Sequence, residues 1–306
     1  MRWIDAYFYQ PTFFQKILSF LLLPISLLYA IGSLVRLKVG RFYDFEMPII
    51  SVGNLVAGGS GKTPFIIEVA RQYDKVAVVS RGYKRRSKGL VVVSQWGEIK
   101  VSQDQAGDEP YLIAKELKNA SVIVCKDRIQ AIKEAKSMGA KIIFLDDGFR
   151  FAFKKLNIIL RPLLQPYFPF CLPSGIYREL PLFYKNADIL VQEGKDYVRE
   201  VKIESPTSRM LLLTAIANPS RLDAFLPKGV VGKVTLNDHS TFESAFLESK
   251  MREFNATSLL VTSKDEVKLL EKGFCLSVMR LKLNIHSDIL DTITQYIESY
   301  NLTKEQ

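Results

Sequence analysis

Histidine and cysteine are scarce, at two and three residues in a chain of 306. The cysteines, Cys125, Cys171 and Cys275, are odd in number, far apart and never spaced Cys-x-x-Cys. That pattern removes a zinc ribbon and a disulfide framework, and it favours a reducing compartment. Two histidines, His239 and His286, are too few for a histidine-rich metal site. Internal repeats, low-complexity tracts and a guanine-reading Asn-Lys-x-Asp motif are also missing. What remains is 48% hydrophobic and 24% charged, a globular profile with a sizeable core and the length of two domains. Forty-two Lys and Arg against 32 Asp and Glu give a net charge of +10, which calls for an anionic partner: nucleic acid, acidic headgroups or a phosphorylated substrate.

The N-terminus chooses among these. From Ile17 to Val35 the chain reads ILSFLLLPISLLYAIGSLV, uncharged and close to the ~20 residues that cross a hydrocarbon core. A cleaved signal peptide fits poorly, because the preceding stretch is long and aromatic (Trp3, Tyr7, Phe8, Tyr9, Phe13, Phe14) and no small-x-small cleavage site follows. The aromatics suit a membrane interface, and Arg36, Lys38 and Arg41 after the run place the rest of the chain on the cytoplasmic side. A spanning helix, an in-plane helix and a buried helix of a soluble protein all stay open. A nucleic-acid binder would leave this segment unexplained.

Next comes a nucleotide-binding pattern. Residues 48–52 (PIISV) form a short β-branched run, GNLVAGGSGKT follows, and PFIIEVARQY has helical spacing. Strand, glycine loop and helix N-terminus together make a phosphate cradle. Lys62 supplies a cation to the β- and γ-phosphates and Thr63 a hydroxyl for Mg²⁺. Val56 stands where the strict pattern has glycine, so Gly58 and Gly59 must supply the loop's freedom. Further strands at 75–80, 120–125 and 141–148 alternate with helices at 111–118 and 128–138, which implies a doubly wound, mostly parallel sheet. Asp146 and Asp147 end the third of these strands, where such enzymes hold a metal; a plain Asp-Gly turn is the bland alternative.

Two charged stretches remain open. SRGYKRRSKG packs Arg81, Lys84, Arg85, Arg86 and Lys88 together, as a solvated turn or as a loop for an anionic substrate. GDEPYLIAKEL starts a helix with Asp108 at the N-cap and Pro110 in the first turn; capping explains Asp108, and a base facing the γ-phosphate is the alternative. Beyond residue 192 the alternating YVREVKIE reads as a ribbon-like linker. MLLLTAI then reads as a strand, NPSRLDAFL as a helix, and SLLVTSKDEVKLLEKG as strand, turn and helix, with Ser263 and Glu266 at capping-box spacing. The expected fold is α/β: a P-loop NTPase-type doubly wound sheet with a second smaller α/β domain and an N-terminal hydrophobic helix. The expected division is residues 1–40 (membrane-associated helix), 41–191 (P-loop kinase domain), 192–208 (linker ribbon) and 209–306 (smaller domain).

With PIISVGNLVAGGSGKTP, SRGY, GDEP, DDGF, LPSGIYREL, NPSRL, DHSTF and LVTSKDEVK in one order, the chain resembles the tetraacyldisaccharide 4'-kinase family, the lipid A 4'-kinases of Gram-negative bacteria. The likeness runs from the hydrophobic helix to about Leu270. It implies ATP-dependent phosphorylation of the 4'-hydroxyl of a tetraacylated glucosamine disaccharide 1-phosphate at the cytoplasmic face of the inner membrane. By resemblance, Val56, Ala57, Gly58, Gly59, Ser60, Gly61, Lys62 and Thr63 form the ATP loop, and Asp146 and Asp147 hold Mg²⁺. Asp108 accepts the hydroxyl proton with His239 set against it, Lys62 assists transfer, and Arg178, with Arg81 of the basic loop, meets the substrate. A monomer at the membrane, with no nucleic-acid partner, is the expected assembly. The chain departs from the family at Arg150 and Phe151, where Gln-His is usual, and at Asn157 and Arg161, where acidic residues are common. Outside this family, a membrane-tethered switch NTPase acting on a protein partner is the alternative; it would hydrolyse nucleotide without a lipid acceptor.

Overall fold

The computed structural model describes residues 3–40, 42–58, 61–216, 219–237, 242–269 and 272–302. Three helices open the chain, α1 (Trp3–Tyr9), α2 (Phe13–Leu21) and α3 (Leu23–Val39). They are followed by β1 (Ile49–Gly53), α4 (Lys62–Ala70), β2 (Val76–Ser80), β3 (Val91–Gln95) and the short β4 (Glu98–Ile99). Then come α5 (Gln103–Ala106), α6 (Asp108–Glu116), β5 (Ser121–Val124), α7 (Arg128–Ser137), β6 (Ile142–Asp146), β7 (Leu156–Leu160) and β8 (Ile189–Val191). The last part holds β9 (Tyr197–Glu204), β10 (Met210–Thr214), β11 (Val230–Thr235), α8 (Ser244–Glu253), β12 (Ser258–Thr262), α9 (Ser263–Glu266), β13 (Leu276–Ile285) and α10 (Ser287–Leu302).

The first sheet has the order β4-β3-β5-β2-β6-β1-β7-β8, parallel except where β3 meets its two neighbours. Its central strands are apolar on both faces because helices cover both, so β1, β2, β5 and β6 are buried along their whole length. Side chains such as Phe65 of α4, Ile113 of α6 and Ile293 of α10 form the core on one face. Ala131, Ile132 and Ala135 of α7, with Phe45 and Phe153, cover the other. The chain leaves β1 for β2, and β6 later inserts between them, so the carboxyl ends of β1 and β6 flank a crevice of the kind that binds ligands in such sheets.

The second sheet, β11-β10-β12-β13-β9, is parallel apart from the β13–β9 pair. The stretch expected as a linker ribbon is therefore an integral edge strand, paired from Tyr197 to Glu204 with β13. Its alternation of inward and outward residues is the strand period itself. Helix α10 crosses back and buries Ile289, Ile293 and Ile297 in the core of the first sheet, so the chain's last helix serves the first layer rather than the second. The segment NPSRLDAFL, expected as a helix, is a 3₁₀ turn at Pro219–Phe225.

The hydrophobic N-terminal run is not one helix. Pro24 lacks an N–H and crowds the preceding turn, and α2 and α3 meet at a bend of 53° there. Among the described residues no single helix is long and apolar enough to cross a membrane; the bent pair passes that test jointly. The pair is inverted relative to an ordinary surface helix. Gln15, Ser19, Ser26, Ala30 and Ser33, spaced three, four or seven apart, face the protein and are buried. Phe13, Phe14, Phe20, Leu21, Ile25, Leu27, Leu28 and Val35 face out. The buried hydroxyls are satisfied by the segment after β7: Ser19 Oγ donates to Ser174 O (2.7 Å) and Ser174 N donates to Ser26 Oγ (2.8 Å).

Candidate active site

The loop after β1 starts with buried apolar side chains and continues into the glycine-rich stretch 58–61. Leu55 and Val56 are buried, and Ala57 N donates to Ile176 O (2.9 Å), which pins the first half of the loop to the segment before Arg178. Val56 also bridges Tyr177 and packs with Ile176, so its side chain belongs to the core rather than to the cavity. Gly58 and Gly61 take positive φ (+101° and +86°), conformations that an L side chain strains to reach. Gly59 and Ser60, both expected in the ATP loop, lie outside the described residues. Lys62 and Thr63 are the first residues of α4, with their backbone N–H groups at the positive end of the helix. Lys62 Nζ donates to Asn54 Oδ1 (3.0 Å) and lies 3.9 Å from Asp147 Oδ1.

The two carboxylates at the end of β6 differ. Asp146 is buried; Ser80 Oγ donates to its Oδ2 (2.8 Å), while Oδ1 is shielded from solvent and without a hydrogen-bond partner among the described residues. Burial pushes its carboxyl up to about 6, and Glu109 adds to the rise. Asp147, at a left-handed φ of +58°, accepts two hydrogen bonds from Arg178, Nη1 to Oδ2 (2.9 Å) and Nη2 to Oδ1 (3.0 Å). Burial opposes its ionisation, but Lys62 and Arg178 outweigh it, so its carboxyl sits below the ordinary range. Arg178 Nη2 also donates to Asn54 Oδ1 (2.7 Å), which makes Asn54 the junction between the helix lysine and this arginine.

Arg150 occupies the position where the resemblance expects glutamine. Its Nε pairs with Glu179, whose other oxygen accepts from Ser33 Oγ of α3, and its Nη2 reaches Arg178 O (3.4 Å). Glu179 is 2% exposed, so this carboxylate is committed to those two partners. Lys155 steadies the same loop by donating to the carbonyls of Phe149 and Phe151, and Phe151 stacks under the Arg128 guanidinium at 5.5 Å. Buried Arg128 donates from Nη2 to Asp146 O (3.3 Å) and from Nη1 to Cys125 O.

The basic loop separates into two groups. Arg85 turns inward to Ser87 Oγ and Val124 O (both 3.2 Å), and Arg86 pairs with Asp104 (3.1 Å). Arg81 and Lys84 instead line the cavity beside Lys62. Asp108 is not the N-cap of α6. Gly107 holds that place, with φ of +90°, and Asp108 is the first helical residue. Its Oδ1 accepts from Gln103 Nε2 (2.8 Å), and Oδ2 lies 3.5 Å from Lys268 Nζ of the second layer. His239, with the rest of its DHST motif, lies outside the described residues. Thr262, not Ser263, caps α9, and Glu266 accepts from Lys115 (2.9 Å) across the two layers and from Arg280 (2.7 Å) within its own.

These groups open onto one cavity of about 1280 Å³ between the two sheets, lined by Ala57, Gly58, Gly61, Lys62, Thr63, Arg81, Asp146, Asp147 and Arg178, and by Leu222, Phe225, Met279 and Leu281 on the far wall. Small-ligand sites run to ~300–1,000 Å³, so this one has room for a nucleotide and part of a second substrate. Neither Val56 nor Asp108 is part of its wall; Glu109 is. Asn54, Ser80, Glu109, Arg128, Arg150 and Glu179 join the site without having been singled out as candidates in the sequence. Asn54, Ser80, Glu109 and Glu179 lie inside the quoted motifs GNLVAGGSGKT, SRGY, GDEP and LPSGIYREL, and Arg150 breaks the family pattern, so only Arg128 carried no signal. Among the described residues no three or more His, Cys, Asp and Glu side chains could hold a metal ion alone.

A family model described as LpxK, tetraacyldisaccharide-1-P 4'-kinase, matches residues 18–211. The chain is 56% identical over 304 residues to a tetraacyldisaccharide 4'-kinase of Helicobacter pylori, covering 99% of this chain and 97% of that protein. It is 45% identical over 307 residues to one from Aliarcobacter butzleri, covering 97% and 98%. It is also similar to a crystal structure described as the "apo" form of LpxK from Aquifex aeolicus in complex with ATP. That likeness has a TM-score of 0.74 at 27% identity and covers 92% of this chain and 99% of that one.

Proposed function

The chain belongs to the tetraacyldisaccharide-1-P 4'-kinase family, and from that premise we propose how its own residues divide the work. The protein is an ATP-dependent kinase that phosphorylates the 4'-hydroxyl of tetraacyldisaccharide 1-phosphate. The observation that carries the assignment of roles is the juxtaposition of the N-terminus of α4 with the carboxylates ending β6, on neighbouring strands and in one cavity.

In this reading the backbone from Ala57 to Thr63 and the Lys62 ammonium hold the triphosphate, displacing Lys62 from Asn54 and Asp147. Mg²⁺ fits the donors present. Asp146 Oδ1 is a shielded carboxylate oxygen with no partner among the described residues and Thr63 offers a hydroxyl, and phosphate oxygens and water would complete the ligand set. Asp146 would be the direct contact and Asp147, already paired with Arg178, the supporting one. When bound, the ion would neutralise charge on the β- and γ-phosphates. Asp108 accepts the proton of the attacking hydroxyl, held by Gln103 and Lys268, with His239 as its companion. Arg81 and Arg178 receive the anionic substrate.

The exposed apolar faces of α2 and α3 support a reading in which the enzyme meets its acylated substrate at the cytoplasmic side of the bacterial inner membrane. Residues 41–191 form the kinase domain and the second sheet the lobe that closes the cleft. The test is incubation of the full chain with γ-labelled ATP, Mg²⁺ and a tetraacylated disaccharide 1-phosphate. Label in a bisphosphorylated lipid is expected; label released only as inorganic phosphate, with the lipid unchanged, would overturn the reading.

A further inference from the structure

One cation reaches the phosphate cradle from the second sheet. Arg199 lies on β9, and alternation along that strand turns Tyr197, Arg199 and Val201 to the inner side. Its Nε donates to Glu193 Oε1 (2.7 Å). Glu193 Oε2 in turn accepts from Arg221 and from the Tyr197 hydroxyl (3.4 Å). One carboxylate thus anchors two guanidiniums, and the cluster keeps a net positive charge. The free end of Arg199 points at the loop: Nη2 stands 2.8 Å from where a Cβ on Gly61 would sit. That nitrogen is shielded from solvent and has no hydrogen-bond partner among the described residues, although the side chain is 12% exposed overall and lines the same cavity as Lys62 and Thr63. A cationic donor held at its root by Glu193, with Nη2 unpaired among the described residues and close to a phosphate-binding turn, is suited to an anionic oxygen.

We propose that Arg199 is an arginine supplied in cis by the second sheet to the transferring phosphoryl group. This inference rests on the kinase reading above and adds a residue to it. During transfer the acceptor oxygen bonds to the γ-phosphorus and its proton passes to Asp108. The bond from phosphorus to the β,γ-bridging oxygen breaks, and the electron pair stays on the β-phosphate of ADP. Negative charge grows on that oxygen, and Arg199, itself unchanged, is placed to stabilise it. Glu193 is the positioning residue that keeps the guanidinium in place. Gly61 is favoured by its backbone, at φ of +86°, and a side chain there would also crowd the Arg199 guanidinium.

The test compares wild type with Arg199→Ala and Arg199→Lys in the full chain, in two assays. In turnover, Arg199→Ala is expected to lower kcat by about 100-fold or more with little change in the lipid KM. Arg199→Lys recovers only a fraction, and added methylguanidinium raises the activity of Arg199→Ala without stimulating wild type. The second assay needs no lipid. Arg199→Ala binds ADP like wild type but binds ADP with magnesium and aluminium fluoride at least about tenfold more weakly. Wild-type kcat in Arg199→Ala, or equal affinity of both proteins for the aluminium fluoride complex, overturns the proposal. If Arg199→Ala does not fold, the fluoride assay on Arg199→Lys decides in the same way. Failure of the kinase reading looks different: wild type then transfers nothing to lipid while the binding assay still reports on Arg199.

Discussion

At the scale of single residues, the site is a set of charges whose partners are interchangeable between the protein and a triphosphate. Lys62 rests on Asn54 and Asp147, so it is held in place and needs only a short move to meet phosphate. Lys62→Ala should lower transfer by about three orders of magnitude, because positioning and charge neutralisation carry most of this chemistry; near-normal turnover would remove the loop from the mechanism. Asp146 shows the cost of such readiness. Its carboxyl is raised by burial, so the folded protein holds the Asp146 proton more tightly than the unfolded chain does. Stability is therefore lost as pH rises from the ordinary carboxylate value of 3.8 through about 6, and the whole shift corresponds to roughly 3 kcal/mol. Asp146→Asn should accordingly abolish activity and raise the melting temperature of the nucleotide-free protein at pH 7.5, with the gain shrinking toward pH 4. A variant that melts lower than wild type at pH 7.5 contradicts the assignment of strain to this carboxylate.

At the scale of elements, the coupling between α3 and the cleft is the main surprise. Ser33 of α3, Glu179, Arg150, Arg178 and Asp147 are linked residue to residue by hydrogen bonds from the apolar helix to the end of β6. Removing one partner of a buried pair typically costs ~3–5 kcal/mol, so Glu179→Ala should lower the urea unfolding free energy by about that much and Ser33→Ala by about 1 kcal/mol. Equal unfolding midpoints for all three proteins would show that the latch does not hold α3. Sequence pattern made β1, the glycine loop, α4 and the carboxylate strand legible, because each is a local event: a β-branched run, a turn needing positive φ, a helix start. The latch was not legible, since it joins residues 33, 150 and 179 through tertiary contacts that no spacing encodes. The same holds for Arg199, whose strand was legible as alternation but read as a linker. Its pairing with β13, some 80 residues later, is what makes it part of a sheet. Asp108 shows a local limit, because Gly107 takes the N-cap by virtue of its positive φ and moves the carboxylate one position into the helix.

At the scale of the whole molecule, two sheets share one cleft, and an apolar helix pair sits at the base of the same scaffold. Ion pairs from α6 to the second layer, Lys115–Glu266 (2.9 Å) and Asp108–Lys268 (3.5 Å), tie the proposed base to the second sheet's layer. The outward aromatics and leucines of α2 and α3 exceed what scattered surface residues explain. Replacing Phe14, Leu21 and Leu28 by serine should abolish flotation with anionic phospholipid vesicles while ATP binding stays intact; undiminished flotation would assign membrane contact to another surface, such as the basic loop. The central claim is that the turn before Lys62 grips the triphosphate next to Asp146. A crystal structure of the full chain with Mg²⁺ and a non-hydrolysable ATP analogue tests it most directly. The account predicts phosphates over Gly58–Thr63 and the ion against Asp146 Oδ1 and Thr63 Oγ1. A nucleotide bound elsewhere in the cavity, with Lys62 still on Asn54, would contradict it.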